Sequence, residues 1–170
     1  MNLKSTFFGI LIGLGLVLSA QAQENIRIGA MLAYGSEIEN PGIGVNAEIP
    51  IMENLNLAPS LIYFIPKEQY GFKTNWFEIS ANANYYFLKQ SGLNVYALGG
   101  LNYTHLKTSY DGKNIWGVTN DVSASEGRFG LNLGGGVNFP LGKITPFAEV
   151  KYVVIEDGQV VAGAGVKFNL

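Results

Sequence analysis

Few side chains in this chain are equipped for covalent chemistry. His105 is the single histidine, and there is no cysteine. Hydrolysis by a side-chain nucleophile needs a neighbouring base to activate it. Around His105 the sequence reads Thr104-His105-Leu106-Lys107, and Ser109 stands in a segment read as loop. His105 also shares its spacing with apolar neighbours, which makes it an interfacial residue rather than a catalytic base. One histidine and no clustered carboxylates at ligand spacing argue against a metal. Gly134-Gly135-Gly136 is followed by neither Lys-Ser nor Lys-Thr, so it is no phosphate loop. The residues point to a protein that is not an enzyme and needs no cofactor.

The more informative chemistry is ionic. Arg27, Glu48, Glu78, Arg128, Glu149, Lys151 and Lys167 alternate with apolar residues, so in extended chain they fall on one face with many Gly, Ser and Asn. Charges removed from water must be paired. These seven are therefore expected to form a network inside whatever the strands enclose. A water-filled conducting path is the alternative use of the same charges.

The elements that would position them are strands. From Ile26 to Leu170 the sequence shows eight alternating segments of roughly 9–12 residues, close to a tilted membrane-crossing strand. The last is the clearest: Val160, Ala162, Ala164, Val166, Phe168 and Leu170 oppose Gly163, Gly165, Lys167 and Asn169. Strands are expected at about 25–34, 42–49, 55–63, 75–88, 93–106, 128–139, 144–155 and 160–170. Loops are read at Gly35–Pro41, Pro66–Thr74 and Lys107–Gly127, and short turns lie between them. Pro59 falls inside the third strand, where it is read either as a tolerated bulge or end of pairing, or as a weak seam open to lipid.

A barrel with its apolar face inward would be a soluble ligand carrier; with that face outward it crosses a membrane. Aromatic residues on the apolar face decide between them. Tyr34, Tyr63, Phe77, Tyr103, Phe129 and Tyr152 gather toward one end, and Tyr85, Phe87, Phe139 and Phe168 toward the other. Two aromatic belts fit the two headgroup regions of a bilayer. The fold class read from this pattern is all-β: an eight-stranded antiparallel up-and-down transmembrane β-barrel.

Residues 1–22 read as a cleaved signal peptide: Lys4, an apolar run Phe7–Leu18, and Ala20-Gln21-Ala22 as the cleavage site. Residues 23–170 form the barrel domain. A formal charge of −2 argues against nucleic acid as a partner. Long connections on the outside and short turns on the inside place both termini in the periplasm. The 107–127 loop carries Tyr110, Ile115, Trp116 and Val118, apolar residues suited to contact with an extracellular partner.

The chain resembles the small outer-membrane β-barrels of the OmpX and OmpA-barrel type, in the version common among Bacteroidetes-like bacteria. The resemblance rests on the Ala20-Gln21-Ala22 signal, segments such as Leu55–Tyr63 and Tyr96–Tyr103, and the terminal strand. It implies a cell outer membrane location, outer-membrane lipid as surroundings and assembly by the barrel-assembly machinery. That machinery reads a terminal aromatic; here Phe168 is in phase, and the last residue is Leu170. A monomer with a structural or surface-interaction role and a filled lumen is expected. A narrow porin-like channel for ions or small solutes is the alternative.

Overall fold

The computed structural model describes residues 26–69, 72–110, 122–156 and 158–170. The segment read as a signal peptide lies outside them, as do Ile115, Trp116 and Val118. Eight strands follow in order: β1 Arg27–Gly35, β2 Asn40–Met52, β3 Leu55–Gln69, β4 Phe72–Lys89, β5 Asn94–Tyr110, β6 Val122–Asn138, β7 Ile144–Val154 and β8 Gln159–Asn169. Each pairs antiparallel with the next, and β1 pairs with β8 from Arg27↔Asn169 to Gly35↔Val161, closing the barrel.

Alternation fixes the two faces. Ile28, Leu32, Ile43, Val45, Leu101, Leu131, Leu133 and Val150 project outward and are largely exposed, while Glu48, Glu78, Asn132 and Lys151 are buried inside. An apolar belt on this scale is an aggregation hazard in water and a favourable surface in hydrocarbon. The barrel is a transmembrane one.

The strands run well past the ends read from apolar spacing. The stretch taken as loop Pro66–Thr74 is mostly ladder, with Lys67↔Thr74 and Gln69↔Phe72 paired. The 107–127 loop shrinks likewise, because β5 and β6 stay paired as far as Tyr110↔Val122. Apolar alternation stops where the hydrocarbon stops, but backbone pairing continues beyond it on polar residues such as Thr74, Thr108 and Ser125. The first loop is also shorter than read: Ser36–Glu39 is a tight turn, closed by a hydrogen bond from Glu39 N–H to Gly35 O, with Glu39 at φ 52°.

Wall height is therefore uneven. β3 to β6 have 15, 18, 17 and 17 residues, against 9 in β1 and 11 each in β7 and β8. At about 3.3 Å per residue the long strands greatly exceed a bilayer core of about 30 Å. The excess lies at the end away from the termini. There the described register of β6 with β7 begins at Leu131↔Val154, so β6 rises past β7. Pairing of β2 with β3 lapses between Asn46↔Ser60 and Ile49↔Leu57, around Pro59, which has no N–H to donate.

Glycine has a steric role inside. A Cβ on Gly136 would come within 2.5 Å of Tyr96 Cζ and 2.7 Å of the Ala148 carbonyl oxygen. The bare backbone of β6 is what lets the Tyr96 ring lie across the lumen. Gly136→Ala is expected to lower the stability of the refolded barrel by about 1–3 kcal/mol, read as a lower urea midpoint. Gly92→Ala is the control: it lies in a turn, and a Cβ there meets nothing within 4 Å.

Candidate functional site

Six of the seven charges expected inside line the barrel interior, and the structure sorts them into groups. Nearest the termini, Glu48 is the hub. Its Oε2 accepts from Lys167 Nζ at 2.9 Å and from Arg27 Nη2 at 3.2 Å. Its Oε1 accepts from Asn56 Nδ2 at 2.9 Å and from the Tyr86 hydroxyl. Asn138 joins the group, donating to Tyr86 Oη at 2.7 Å and accepting from Lys167 at 3.2 Å. Lys167 Nζ also sits 4.4 Å from the centre of the Phe147 ring, a cation–π contact.

Further along the lumen Glu78 pairs with Lys151. Lys151 also donates to Ser80 Oγ at 3.1 Å, and Ser80 collects bonds from Asn102 at 3.2 Å and Asn132 at 3.0 Å. Asn132 reaches on to Asn82 Oδ1 at 2.7 Å. Glu149 accepts from the Tyr96 hydroxyl at 2.9 Å, between the two groups. Arg27, Lys151 and Lys167 thus face Glu48, Glu78 and Glu149, and the interior charges balance. Burial without pairing would cost several kcal/mol per ion.

Arg128 stands apart from these groups. It pairs through Nε at 3.0 Å and Nη2 at 3.1 Å with Glu126, two residues away on its own strand. The two side chains are 21% and 59% exposed, at the outer mouth. Spacing alone gave it the inward face but not its height: Arg128 sits on the part of β6 that rises beyond β7.

Above Glu78 the lumen turns apolar. Ile38, Ile62, Phe64, Trp76, Val153 and Val161 are all buried, with Leu106 and Ile155 packed against them. Phe64 and Trp76 meet edge to face, with ring centres 6.4 Å apart. Ile38 comes from the Ser36–Glu39 turn and tucks into the mouth. This storey was missed when the inward face was read as polar. Its signal was present, since Ile62, Phe64 and Trp76 continue the inward phase of Ser60 and Glu78.

The residues read as aromatic belts all lie on the outward face. Tyr34, Tyr63, Phe129 and Tyr152 are exposed toward the mouth, with Phe77 and Tyr103 half-buried there; Tyr85, Phe87, Phe139 and Phe168 are exposed toward the termini. Tyr103 and Phe129 pack with ring centres 4.9 Å apart and planes tilted by 50°. His105 is opposite Phe77 in the same row, half-buried, as an interfacial residue would be. Tyr110 ends β5. Among the described residues no group of His, Cys, Asp and Glu is arranged to hold a metal.

Removing one buried partner separates the roles of the two cations. Lys167→Met is expected to cost about 3–5 kcal/mol, since Glu48 and Asn138 lose their shared donor inside the wall. Arg128→Ala is expected to cost less than Lys167→Met, because its pair with Glu126 is partly open to solvent. Urea titrations of both variants in lipid vesicles measure the difference.

Comparison with known proteins agrees with this architecture. The outer membrane protein beta-barrel domain family matches residues 8–169. No curated protein sequence matches the chain. Among solved structures it is similar to the N-terminal β-barrel domain of Pseudomonas aeruginosa OprF, with TM-score 0.64 and 20% identity over 88% of this chain and 100% of that one. It is also similar to Neisserial surface protein A, at 0.63 and 18% over 85% and 96%. Ail, the attachment invasion locus protein of Yersinia pestis, gives 0.61 and 16% over 86% and 97%.

Proposed function

Since the chain belongs to the outer membrane protein beta-barrel domain family, we propose that it is a closed-lumen barrel of the outer membrane that presents its tall β3–β6 wall to partners at the cell surface. In this reading residues 1–22 are a cleaved signal peptide, and the barrel-assembly machinery inserts the remainder as a monomer. Both termini face the periplasm, and outer-membrane lipid surrounds the belt.

The observation that carries the reading is the uneven wall. Four consecutive strands rise beyond the others, and β6 runs on past its first pair with β7, Leu131↔Val154. A strand that rises past its neighbour is a surface that an extended segment of another chain can meet. Glu126 and Arg128 break up its apolar character and limit indiscriminate pairing. Ail, an attachment protein by name, has a barrel of the same kind, which fits a role in surface contact.

Photo-crosslinking on living cells tests this. A photoreactive residue at Ser125 is expected to give discrete protein adducts, while one at Leu133, within the lipid belt, gives none. Equal yields at the two positions would overturn the reading.

The second reading is a narrow channel, favoured by the ionic interior. The apolar storey of Phe64, Trp76 and Ile38 opposes it, because ions do not cross a packed hydrocarbon layer without a large desolvation cost. Refolded barrel in planar bilayers is expected to be electrically silent. Discrete conductance steps, from protein shown folded by heat-modifiable gel mobility, would favour the channel.

A further inference from the structure

The two ion-pair groups are not joined directly along the lumen. Glu48 and its partners stand at the height of Tyr86, and Glu78 and Ser80 lie several residues further up β4. Between them is a cavity of about 10 Å³ flanked by Asn46, Ser60, Asn82, Asn84, Glu149 and Lys167. Its lining takes Lys167 from one group and Asn82 from the other.

Two acceptors near this space are orphaned. Asn46 Oδ1 and Asn84 Oδ1 are buried and have no protein partner, and Asn84 as a residue is 1% exposed. A carbonyl oxygen removed from water and left unbonded is costly, and such atoms in folded proteins are nearly always satisfied by protein or by ordered water. The cavity has about the volume that admits one water, which needs two to four polar partners. Ala47 and Ala58 complete the lining, and its polar groups suit water better than hydrocarbon. A monovalent cation would meet the Lys167 ammonium in the same space. Water fits the donor count: its two hydrogens match the two orphaned oxygens, and its lone pairs can accept from the Ser60 hydroxyl or from Lys167.

We propose that this cavity is a binding site for one internal water molecule, held by Asn46 and Asn84. Accepting from Lys167 and from the Asn82 amide, the water joins the Glu48–Lys167 group to the Asn82–Asn132–Ser80 chain in one hydrogen-bonded network. That network runs from Arg27 to Glu78 and ends below Trp76. The site goes beyond the surface role and does not depend on it.

A high-resolution crystal structure of the refolded barrel tests the site. The expected result is one ordered water within hydrogen-bonding distance of the Asn46 and Asn84 amides. A dry cavity, or amides turned to bond each other, would overturn the proposal. In a second structure, Asn84→Leu is expected to expel the water. Its retention in that variant would remove Asn84 as a ligand and overturn the site as assigned.

Discussion

Closure of the sheet is the constraint on which the rest of the molecule depends. Within a bilayer no water is available to satisfy a free strand edge, so β1 must find β8 along its whole length. Closure with eight strands fixes an interior only about wide enough for side chains. Everything placed there loses its hydration, and the choice of residues follows. Each interior carboxylate meets a cation or a phenol, and the amides of Asn56, Asn102, Asn132 and Asn138 fill the gaps with directional bonds. The balance of three cations against three carboxylates follows from the same confinement, since a surplus charge has no solvent to spread into.

The interior divides by height into a polar storey and an apolar one. The division suits a wall that is wet at one end and must stay sealed. Polar groups near the termini tie β2, β4, β6 and β8 together across the lumen through Glu48, Tyr86, Asn138 and Lys167. The layer above is mainly apolar and holds by packing, although Trp76 Nε1 and the Gln159 amide lie buried within it without a hydrogen-bond partner. Ile38 completes it from the Ser36–Glu39 turn of the β1–β2 hairpin.

Much of this was legible in the sequence. A period of two separates lipid-facing from lumen-facing residues without ambiguity, because a slip by one residue would expose Glu48 or Lys167 to hydrocarbon. All seven charges were therefore assigned to the interior, and six of them line it in the folded chain. Strand ends were less legible, because a ladder in water leaves no apolar alternation to read; hence the length of β3 to β6 and the height of Arg128. Pairing partners were illegible for another reason. Glu48 meets Lys167 across 119 positions of chain, and only the register of a closed barrel brings them together. The amides around Asn46 and Asn84 belong to that class as well, since polar type and parity say nothing of who faces whom.

The uneven wall has a further consequence for life in a crowded membrane. A barrel of uniform height looks the same from every side, so spin about the membrane normal is irrelevant to its neighbours. Here the four tall strands are consecutive, and the molecule has a heading. A neighbour arriving beside β6 meets a tall strand, while one arriving beside β1 and β8 meets a low rim. Encounter in two dimensions thus acquires an angular requirement, of the kind that slows association between specific patches. Rotational diffusion, as well as lateral diffusion, then helps set how often a neighbour meets the tall face.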